Sequence, residues 1–391
     1  MYLYNAFEKY KFNILKPMRP FKYNWTPLLM QWFDKHKRDL PWRTDSPRDP
    51  YKVWVSEIML QQTRVEAVKS YYTNWMEQFP DIPSLAAAEE EDVVRQWQGL
   101  GYYSRARNLH TAVREVMEKY EGKVPDTREE IRKLKGIGEY TAGAILSMAY
   151  GKRETAVDGN VLRVFARLYN IEENILSANV KKEITALVAA RQDILRPGDF
   201  NEALMDLGAT VCIPGQPRCE VCPLSGVCLA KRAGKEKEIP LRVTKKEVPV
   251  EPVTVFVIRW NGSKQDCVGK SHNEVESAFY LLHRRPAKGL LAGMWEFPNC
   301  VGEGKNGKAS LKEMLAGVGV KIKKVSRPLE QIKHVFSHKI WKMTVCEAIA
   351  EETGELPADW RWVTAEEIAD YNLAGPHNII GRELIAIAGK K

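Results

Sequence analysis

The chain has 391 residues, of which 44% are hydrophobic and 28% charged, as in an ordinary globular protein long enough for two domains. Its 59 basic and 50 acidic side chains give a formal net charge of +9, which is compatible with a polyanionic partner but does not identify one. No apolar run approaches the length of a membrane span, which argues against an integral membrane protein. Residues 1–24 lack the apolar core and cleavage site of a secretory signal, so we expect an N-terminal extension and the bacterial cytoplasm as location.

Apolar residues recur at helical spacing from Thr26 to about Ala230. Gly, Pro or Asp bounds the segments that show this spacing, as expected at helix ends. In chain order they are TPLLMQWFDKH, YKVWVSEIMLQQTRVEAVKSYYTNWMEQF, AAAEEEDVVRQWQ, RARNLHTAVREVMEKY, TREEIRKL, YTAGAILSMAY, VLRVFARLYN and ANVKKEITALVAAR. The pattern predicts an all-α region over residues 25–230.

Glu57 falls on the apolar face of the second segment, one turn after Trp54. A glutamate withdrawn from water should have a raised pKa unless it is paired. With Gln61 and Gln62 alongside, a polar pocket in which Glu57 only bonds to a neighbour is an equally good interpretation.

Tyr102 and Tyr103 follow a Gly-Leu-Gly break and precede Arg105 and Arg107. Aromatic side chains on such a turn can wedge into a base stack while neighbouring arginines meet phosphates. Tyrosines between helices are ordinarily buried, and we expect one of the two to be buried here.

A Gly-Ile-Gly break separates the fifth and sixth segments, and Asp126 and Glu129 are spaced as a capping pair before it. Gly136 and Gly138 permit a tight turn and would expose backbone N–H groups at a helix N-terminus, where a phosphate can bind without any base being read. A plain turn also fits Gly-x-Gly alone. The flanking Leu-Lys and Tyr-Thr-Ala-Gly favour a helix-hairpin-helix over about residues 126–150.

Asp158 stands immediately before an amphipathic helical pattern and is first of all a candidate N-cap. The helix dipole stabilises an ionised carboxylate in that place and would keep its pKa low. Such a carboxylate suits the stabilisation of a developing positive charge. The cap and the catalytic role are compatible.

Four cysteines follow the pattern C-x6-C-x2-C-x5-C in a short loop rich in Pro and Gly: Cys212, Cys219, Cys222 and Cys228. Four sulfurs suit either tetrahedral zinc or an iron–sulfur cluster, and the asymmetric spacing favours the cluster. Disulfides are disfavoured because no secretory signal precedes the loop and Cys267, Cys300 and Cys346 are scattered.

The sequence changes character after the cysteines. Residues 231–250 are charged and interrupted by prolines, which predicts an exposed linker. Residues 251–391 are predicted to form a separate α+β domain, with a hairpin turn at Asn261-Gly262. Its predicted strands are VTVFVIRW, SAFYLLHRR, KIWKMTVCEAIA and WRWV, and its predicted helix is ASLKEMLAGVG.

The motifs SEIMLQQT, GLGYYSRARNL, GIGEYTAG and AVDGNV, followed by the cysteine loop, resemble the adenine DNA glycosylases, the MutY family within the endonuclease III superfamily. The resemblance spans most of the chain. It implies an all-α helix-hairpin-helix glycosylase core with a [4Fe–4S] loop over residues 212–228, followed by an α+β Nudix-like domain. It also implies a monomer that removes adenine opposite 8-oxoguanine, and less efficiently opposite guanine, in double-stranded DNA. Tyr140 stands where bifunctional members carry a Schiff-base lysine, and a phenol cannot form an imine, so a monofunctional enzyme is implied.

The resemblance assigns roles to individual residues. Glu57 would protonate adenine N7 and later help to activate water, and Asp158 would stabilise the sugar cation through a transient covalent acetal. Tyr140 and Asn160 would position these groups around a nucleotide flipped out of the duplex. The side chains that enter the duplex around 8-oxoguanine would be Gln62, Thr63 and Tyr102. The ligands of a structural [4Fe–4S] cluster would be Cys212, Cys219, Cys222 and Cys228.

In the C-terminal domain, Phe336, Ser337 and His338 match the family motif that reads 8-oxoguanine. The segment after Pro298 lacks the Arg-Glu…Glu-Glu helix that binds magnesium in Nudix hydrolases, so no pyrophosphatase activity is expected.

Two other functions stay open. One is a superfamily glycosylase for oxidised pyrimidines or for thymine in G·T mispairs; Tyr140 does not exclude the mismatch enzymes, but the C-terminal domain argues against both. The other is a catalytically silent DNA-binding scaffold, against which the acidic residues Glu57 and Asp158 argue.

Overall fold

A computed structural model describes residues 24–45, 47–243, 248–261, 278–302, 304–326, 328–336 and 338–388. Its helices are α1 (Thr26–His36), α2 (Pro50–Leu60), α3 (Val65–Gln78), α4 (Ile82–Ala87), α5 (Glu90–Gln96), α6 (Ser104–Tyr120), α7 (Arg128–Ile131), α8 (Glu139–Met148), α9 (Gly159–Tyr169), α10 (Ala178–Arg191), α11 (Pro197–Thr210), α12 (Leu229–Arg232), α13 (Gly304–Ala316) and α14 (Gly375–Ala388). Its strands are β1 (Val250–Trp260), β2 (Phe279–Arg284), β3 (Trp295–Glu296), β4 (Asn299–Val301), β5 (Val320–Val325), β6 (Glu330–Val335), β7 (Ile340–Thr353) and β8 (Trp360–Thr364).

The predicted change from helices to a mixed sheet domain is confirmed, and each predicted strand has a counterpart in β1, β2, β7 or β8. The N-terminal extension through Tyr23, the turn residue Gly262, Cys267 and Ser337 lie outside the described residues. None of the helices in the described ranges is both long and apolar enough to span a bilayer.

The chain separates into two compact units. The first contains the residues up to Glu57 together with Val124–Val243, and the second contains Ile58–Lys123 together with Thr244–Lys391. The helical region that the sequence predicts as one domain is therefore divided between both units, with one boundary inside α2.

Helix α9 lies in the core of the first unit. Phe165 is fully buried and packs edge-on against Trp25, with ring centroids 5.8 Å apart, and Trp25 stacks on Phe200 of α11 at 6.2 Å. The amphipathic pattern predicted after Asp158 is confirmed, because its apolar residues Val161, Leu162, Phe165 and Leu168 are buried. Its polar N-terminus is left at the edge of the core, where Asp158 caps it.

Helix α11 crosses α9 closely at Gly208. A Cβ atom on Gly208 would lie only 2.6 Å from the Cβ of Asn160, so the approach requires glycine at this position. Helices α11 and α14 were not predicted from the sequence. The single long helix predicted after Tyr51 is also wrong, because α2 ends at Leu60 and α3 begins at Val65.

The predicted capping pair of Asp126 and Glu129 is wrong. Thr127 caps α7 by accepting a hydrogen bond from the backbone N–H of Glu130 at 3.4 Å. Asp126 instead accepts a hydrogen bond from Lys152 at 2.7 Å.

The segment predicted as a linker after Ala230 belongs to the first unit as far as Val243. Ile239 is buried, and its carbonyl accepts a hydrogen bond from Nε of Arg167 at 2.7 Å. The N–H of Ile175 donates to the carbonyl of Leu241 at 3.1 Å. The linker boundary therefore moves to Val243.

The described strands form one mixed sheet in which β1 and β7 run parallel and the other pairs run antiparallel. Both faces of β1 are buried: Val253, Val255 and Val257 pack in one cluster and Phe256 and Ile258 in another. Ile380 of α14 joins the first cluster, and Leu311 and Leu315 of α13 join the second. A strand covered on both faces is apolar throughout, which is why VTVFVIRW shows little alternation.

Candidate active site

Glu57 lies in α2 and is only 6% exposed. The hydroxyl of Tyr140, in the first turn of α8, donates a hydrogen bond to its Oε2 at 2.6 Å. Burial raises the pKa of Glu57 to about 7, and the negative charges of Glu202 and Asp158 act in the same direction. The predicted rise is confirmed. Near neutral pH this carboxyl can both hold and release a proton, as a general acid requires.

Tyr140 remains a neutral donor. Burial, followed by the nearby carboxylates Glu57 and Asp158, raises the pKa of its phenol well above the usual range. The phenol therefore cannot lose its proton near neutral pH. Its hydrogen bond is accepted by Oε2 of Glu57, and a carboxyl proton on Oε1 is compatible with that bond.

Asp158 is half-buried and is the N-cap of α9, as predicted. Its Oδ1 accepts a hydrogen bond from the N–H of Val161 at 2.8 Å, and its Oδ2 accepts one from Nδ2 of Asn160 at 2.7 Å. The expected low pKa is wrong in direction. Burial raises the pKa of Asp158 above its usual value and outweighs the hydrogen bonds, which lower it.

The side-chain amide of Asn160 is held in one orientation. An Nη2 proton of Arg163 is donated to Oδ1 of Asn160 at 2.8 Å, and Arg163 has no acceptor atoms. The NH2 group of Asn160 must therefore face Asp158. Arg163 is itself anchored on the carbonyls of Gly208 and Cys212, both at 2.8 Å.

Two buried carboxylates of α11 were missed by the sequence analysis. Glu202 is 3% exposed and binds Arg43 through Nε at 3.1 Å and Arg48 through Nη2 at 2.7 Å. Asp206, one turn later and fully buried, binds Arg38 and Arg43. The signal that could have found them is Pro197 before a helical apolar pattern, because proline favours the first turn of a helix.

The helix-hairpin-helix turn has open backbone. Gly136 has a left-handed φ of 85°, and Gly138 is the N-cap of α8, which begins without a side-chain cap. Both glycines are exposed, whereas Ile137 between them is buried. Because no side-chain cap occupies this end of α8, its first N–H groups can donate hydrogen bonds to an anion.

Two loops of the second unit carry the residues predicted to enter DNA. Gln62 is exposed, Thr63 is half-buried and Tyr102 is 45% exposed. Tyr103 is buried, so the expectation that one of the two tyrosines is buried is confirmed. The expectation that Arg105 meets phosphates is wrong, because its guanidinium is buried and bonds to loop carbonyls.

Phe336 and His338 lie in the turn between β6 and β7. The N–H of Phe336 donates to the carbonyl of Lys339 at 2.8 Å. Its half-buried ring packs edge-on against His334 and Trp341, at 4.5 and 4.9 Å between centroids. His338 is exposed. The predicted motif thus presents an aromatic ring with a polar side chain beside it, apart from Ser337, which is outside the described residues.

The four cysteines of the loop form no disulfide among the described residues and line one cavity in the first unit. Nη1 of Arg167 lies 3.3 Å from Sγ of Cys212. Burial raises the pKa of the Cys222 thiol to about 12 and also raises the pKa of the Cys219 and Cys228 thiols. Over the described ranges, no three Cys, His, Asp or Glu side chains converge closely enough to hold a single metal ion.

Residues 55–190 match the model of the HhH-GPD superfamily of base excision DNA repair proteins, and residues 274–382 match the NUDIX domain. An adenine DNA glycosylase of Mus musculus is 36% identical over 384 residues, which cover 88% of this chain and 74% of that protein. One of Schizosaccharomyces pombe is 35% identical over 390 residues, covering 87% of this chain and 85% of that protein. The chain belongs to the adenine DNA glycosylase family.

It is therefore a DNA glycosylase with a helix-hairpin-helix core and a Nudix-like domain, as the motifs predicted. Among solved structures, a thermostable thymine-DNA glycosylase is 30% identical, with a TM-score of 0.49 over 53% of this chain and 95% of that chain. Adenine DNA glycosylases similar to this chain come from eukaryotes and also from Buchnera aphidicola, so the bacterial cytoplasm remains a prediction.

Proposed function

We propose that this glycosylase hydrolyses the N-glycosidic bond of adenine paired with 8-oxoguanine, and more slowly that of adenine paired with guanine. One observation carries the proposal: Glu57, with a pKa of about 7, shares a buried polar cluster with a second carboxylate fixed on a helix N-terminus. One acid near neutral pKa and one carboxylate held by hydrogen bonds are what assisted departure of a base requires. The names of the relatives favour adenine as that base.

In the first step the protonated Oε1 of Glu57 donates to N7 of adenine, so that the bond to C1′ can break and the base leaves neutral. The positive charge that develops on the sugar is stabilised by Asp158, whose carboxylate oxygens are already oriented by Val161 and Asn160. A transient bond between Asp158 and C1′ would store that charge. Glu57, now a carboxylate, accepts a proton from the water that attacks C1′. The oxygen of that water replaces the bond between C1′ and Asp158, which leaves as a carboxylate, and Glu57 is again protonated.

Glu202 has a supporting part in this scheme. Its negative charge raises the pKa of Glu57, so it favours the protonated form that the first step consumes. Arg43 and Arg48 hold Glu202 in place, and Arg43 pulls the pKa of Glu57 in the opposite direction. Glu202 thus favours the protonated form of Glu57 without itself transferring the proton.

DNA binding would use three surfaces. The open N–H groups at Gly136 and Gly138 would bind a phosphate of the strand that carries adenine. Gln62, Thr63 and Tyr102 would enter the duplex and surround the opposing 8-oxoguanine. The side chains that contact 8-oxoguanine in the sheet domain would be Phe336, Ser337 and His338.

The cysteine loop would hold a [4Fe–4S] cluster with a structural role. The four sulfurs line one cavity of the first unit, and their asymmetric spacing in the sequence favours a cubane cluster over tetrahedral zinc. We expect purified protein to contain four irons and four sulfides per chain; stoichiometric zinc without iron would overturn this assignment.

The function is tested by base release under single-turnover conditions from duplexes carrying A opposite 8-oxoguanine, A opposite G, T opposite G, and thymine glycol. We expect fast release from the first, slower release from the second and negligible release from the others. Strand scission should appear only after alkali. Faster release from thymine glycol or from T opposite G would favour the other superfamily glycosylases.

Asp158→Asn separates catalysis from a scaffold role. An asparagine can still cap α9, so the variant should fold and bind duplex DNA while losing base release. Loss of folding and binding together would favour the scaffold role.

A further inference from the structure

Arg105, on α6, is a buried cation without a carboxylate partner among the described residues. It is 9% exposed, and burial lowers the pKa of its guanidinium to about 10, with only Tyr102 opposing the shift. A charge withdrawn from water is costly unless its donors are satisfied by other means. Because Arg105 is buried, binding of a phosphate at the surface cannot explain its charge. The hydrogen-bond partners of its guanidinium must compensate for the loss of water.

Those partners lie in two loops, which we name the Gln62 loop (residues 61–64) and the Tyr102 loop (residues 97–103). Nη1 of Arg105 donates to the last carbonyls of α2, at Ile58 and Met59, and to the carbonyl of Gln61, at 2.8, 3.1 and 2.5 Å. Nη2 donates to Oγ1 of Thr63 at 3.3 Å. It also donates to two carbonyls of the Tyr102 loop, those of Leu100 and Gly101, at 3.2 and 3.1 Å. One guanidinium thus joins both loops.

The backbone at the tip of each loop is strained. Gln62 has a φ of 56° and Tyr102 a φ of 50°, both in the left-handed region that residues other than glycine rarely adopt. Such conformations cost on the order of 1 kcal/mol each and persist only where the surroundings enforce them. Arg105 binds the carbonyl immediately before each tip, at Gln61 and at Gly101. Arg105 is therefore placed to hold both residues, Gln62 and Tyr102, in their left-handed backbone conformations.

The guanidinium also contacts the side chain that the Tyr102 loop presents. Its carbon lies 5.5 Å from the centroid of the Tyr102 ring and 5.3 Å from that of Trp97. Trp97 in turn donates from Nε1 to the carbonyl of Gly101 at 3.2 Å. Cation–π attraction at these distances restrains the exposed tyrosine ring as well as its backbone.

We propose that Arg105 is a positioning residue that holds Gln62 and Tyr102 as one rigid pair, so that both side chains enter the duplex together. This role rests on the proposed function, which assigns both side chains to DNA. A preformed pair avoids the entropy cost of ordering each loop separately on binding. Substitution of Arg105 should therefore lower the affinity for DNA that contains the mispair. This loss should occur only when the side chains of Gln62 and Tyr102 are present.

The test compares Arg105→Gln in the natural chain with Arg105→Gln in a Gln62→Ala/Tyr102→Ala background. Binding is measured on a duplex with 2′-fluoro-2′-deoxyadenosine opposite 8-oxoguanine, in which the fluorine disfavours charge at C1′ and blocks release. In the natural chain we expect affinity to fall roughly tenfold, the worth of a net hydrogen bond to a charged group. In the background, the same substitution should change affinity less than about twofold, because residues that act as one unit are not additive.

Arg114→Gln is the matched control. Arg114 lies on the same helix and also donates to backbone carbonyls, those of Ala86 in α4 and of Ala88 at the end of α4, and these bonds do not involve the Gln62 loop or the Tyr102 loop. We expect its affinity to equal that of the natural chain. Thermal melting of each variant establishes that it is folded. If Arg105→Gln is not recovered folded, Arg105→Lys is used, because an ammonium keeps the charge but cannot bridge both loops.

Three results would overturn the role. The first is an equal loss of affinity in both backgrounds, which would place the action of Arg105 elsewhere. The second is an Arg105→Gln variant that binds as tightly as the natural chain. The third is a Gln62→Ala/Tyr102→Ala protein with unchanged affinity, which would remove both side chains from DNA binding. Failure of the proposed function is a distinct outcome, because it appears as a natural chain that releases no adenine.

Discussion

Glu57 in the first unit and Glu296 in the second unit are buried to nearly the same extent, with 6% and 5% of each residue exposed. Their pKa values nevertheless move in opposite directions. Burial raises the pKa of Glu57, and its neighbours Glu202 and Asp158 add to the rise. Burial also tends to raise the pKa of Glu296, but His283, His377 and Arg285 outweigh it and the pKa is lowered.

The hydrogen-bond partners explain the difference. Glu57 is bonded to the neutral phenol of Tyr140, which can bond to either protonation state of the carboxyl. Glu296 is bonded to the guanidinium of Arg285 at 2.5 Å, which favours the charged state alone. Burial by itself therefore does not produce an acid. The sign of the neighbouring charges decides whether a buried glutamate can donate a proton or remains a structural anion.

Glu57→Gln should give the largest effect. Glutamine keeps the shape and can accept the hydrogen bond of Tyr140, but it has no proton to donate, so adenine release should fall by about 10³-fold, within the range for loss of a general acid. Single-turnover release from the A·8-oxoguanine duplex measures it. Glu296→Gln is the control and should retain release at a temperature where it is folded. Comparable losses in both variants would contradict the distinction between the two glutamates.

The same two variants should change the free energy of unfolding with opposite signs. Between pH 4.5 and about 7 the folded chain takes up a proton at Glu57 that the unfolded chain lacks, so stability falls as pH rises and the penalty is complete above pH 7. Glu57→Gln should remove this penalty and stabilise the protein at pH 8 by on the order of 1–3 kcal/mol, with little effect at pH 4.

Glu296→Gln should destabilise the protein at pH 8, by about 3 kcal/mol for loss of one partner of a buried pair. The lowered pKa of Glu296 means that its stabilisation is present above the pKa of the unfolded chain and disappears as pH falls through the folded value. Denaturant unfolding at pH 4 and pH 8 measures both variants. A stability change of the same sign at pH 8 would show that burial outweighs the neighbouring charges.

The rate of base release should depend on pH through Glu57. Above pH 7 the protonated fraction falls, and the rate should decrease toward tenfold per pH unit. Burial also raises the pKa of Asp158, so a decrease on the acid side is expected when that carboxylate is protonated. A single-turnover pH profile from 5 to 9 shows whether both limbs exist. A flat profile between pH 6 and 9 would remove Glu57 as the proton donor.

Phe336→Ala should have the smallest effect, confined to selectivity. The substitution removes a ring that packs on Trp341 and His334 at the β6–β7 turn, and it changes neither of the two proposed catalytic carboxylates. We expect the rate ratio of A·8-oxoguanine over A·G to fall a few-fold, the scale of one lost aromatic contact. Leu329→Ala, an exposed apolar residue just before β6, is the control. An unchanged ratio would argue against a role of the sheet domain in recognition.

Local sequence patterns predicted the parts of the site that depend on local structure. Asp158 caps α9 because it precedes an amphipathic segment, and Asn160 lies next to it because both belong to the same helix start. The strands of the sheet were predicted by their β-branched runs. The cysteines were recognisable because their spacing is short.

Properties set by tertiary packing could not be predicted in this way. Glu202 is far from Glu57 in the sequence, and its burial and its charge near the acid depend on how α11 packs, so neither was evident from the local pattern. The raised pKa of Asp158 comes from burial by other segments, whereas the cap alone suggests a low one. Arg105 was assigned to phosphate because arginines beside exposed aromatics usually face solvent, and only the packed loops show otherwise.

The close crossing of α9 and α11 limits what residue 208 can be. Gly208 of α11 lies against Asn160, whose side-chain amide donates a hydrogen bond to Asp158. An added methyl group would force either the helices apart or the amide off its partner. Replacement of glycine by alanine is usually a mild substitution. At residue 208 it would weaken the stabilisation of the sugar cation, because it displaces the amide that orients Asp158.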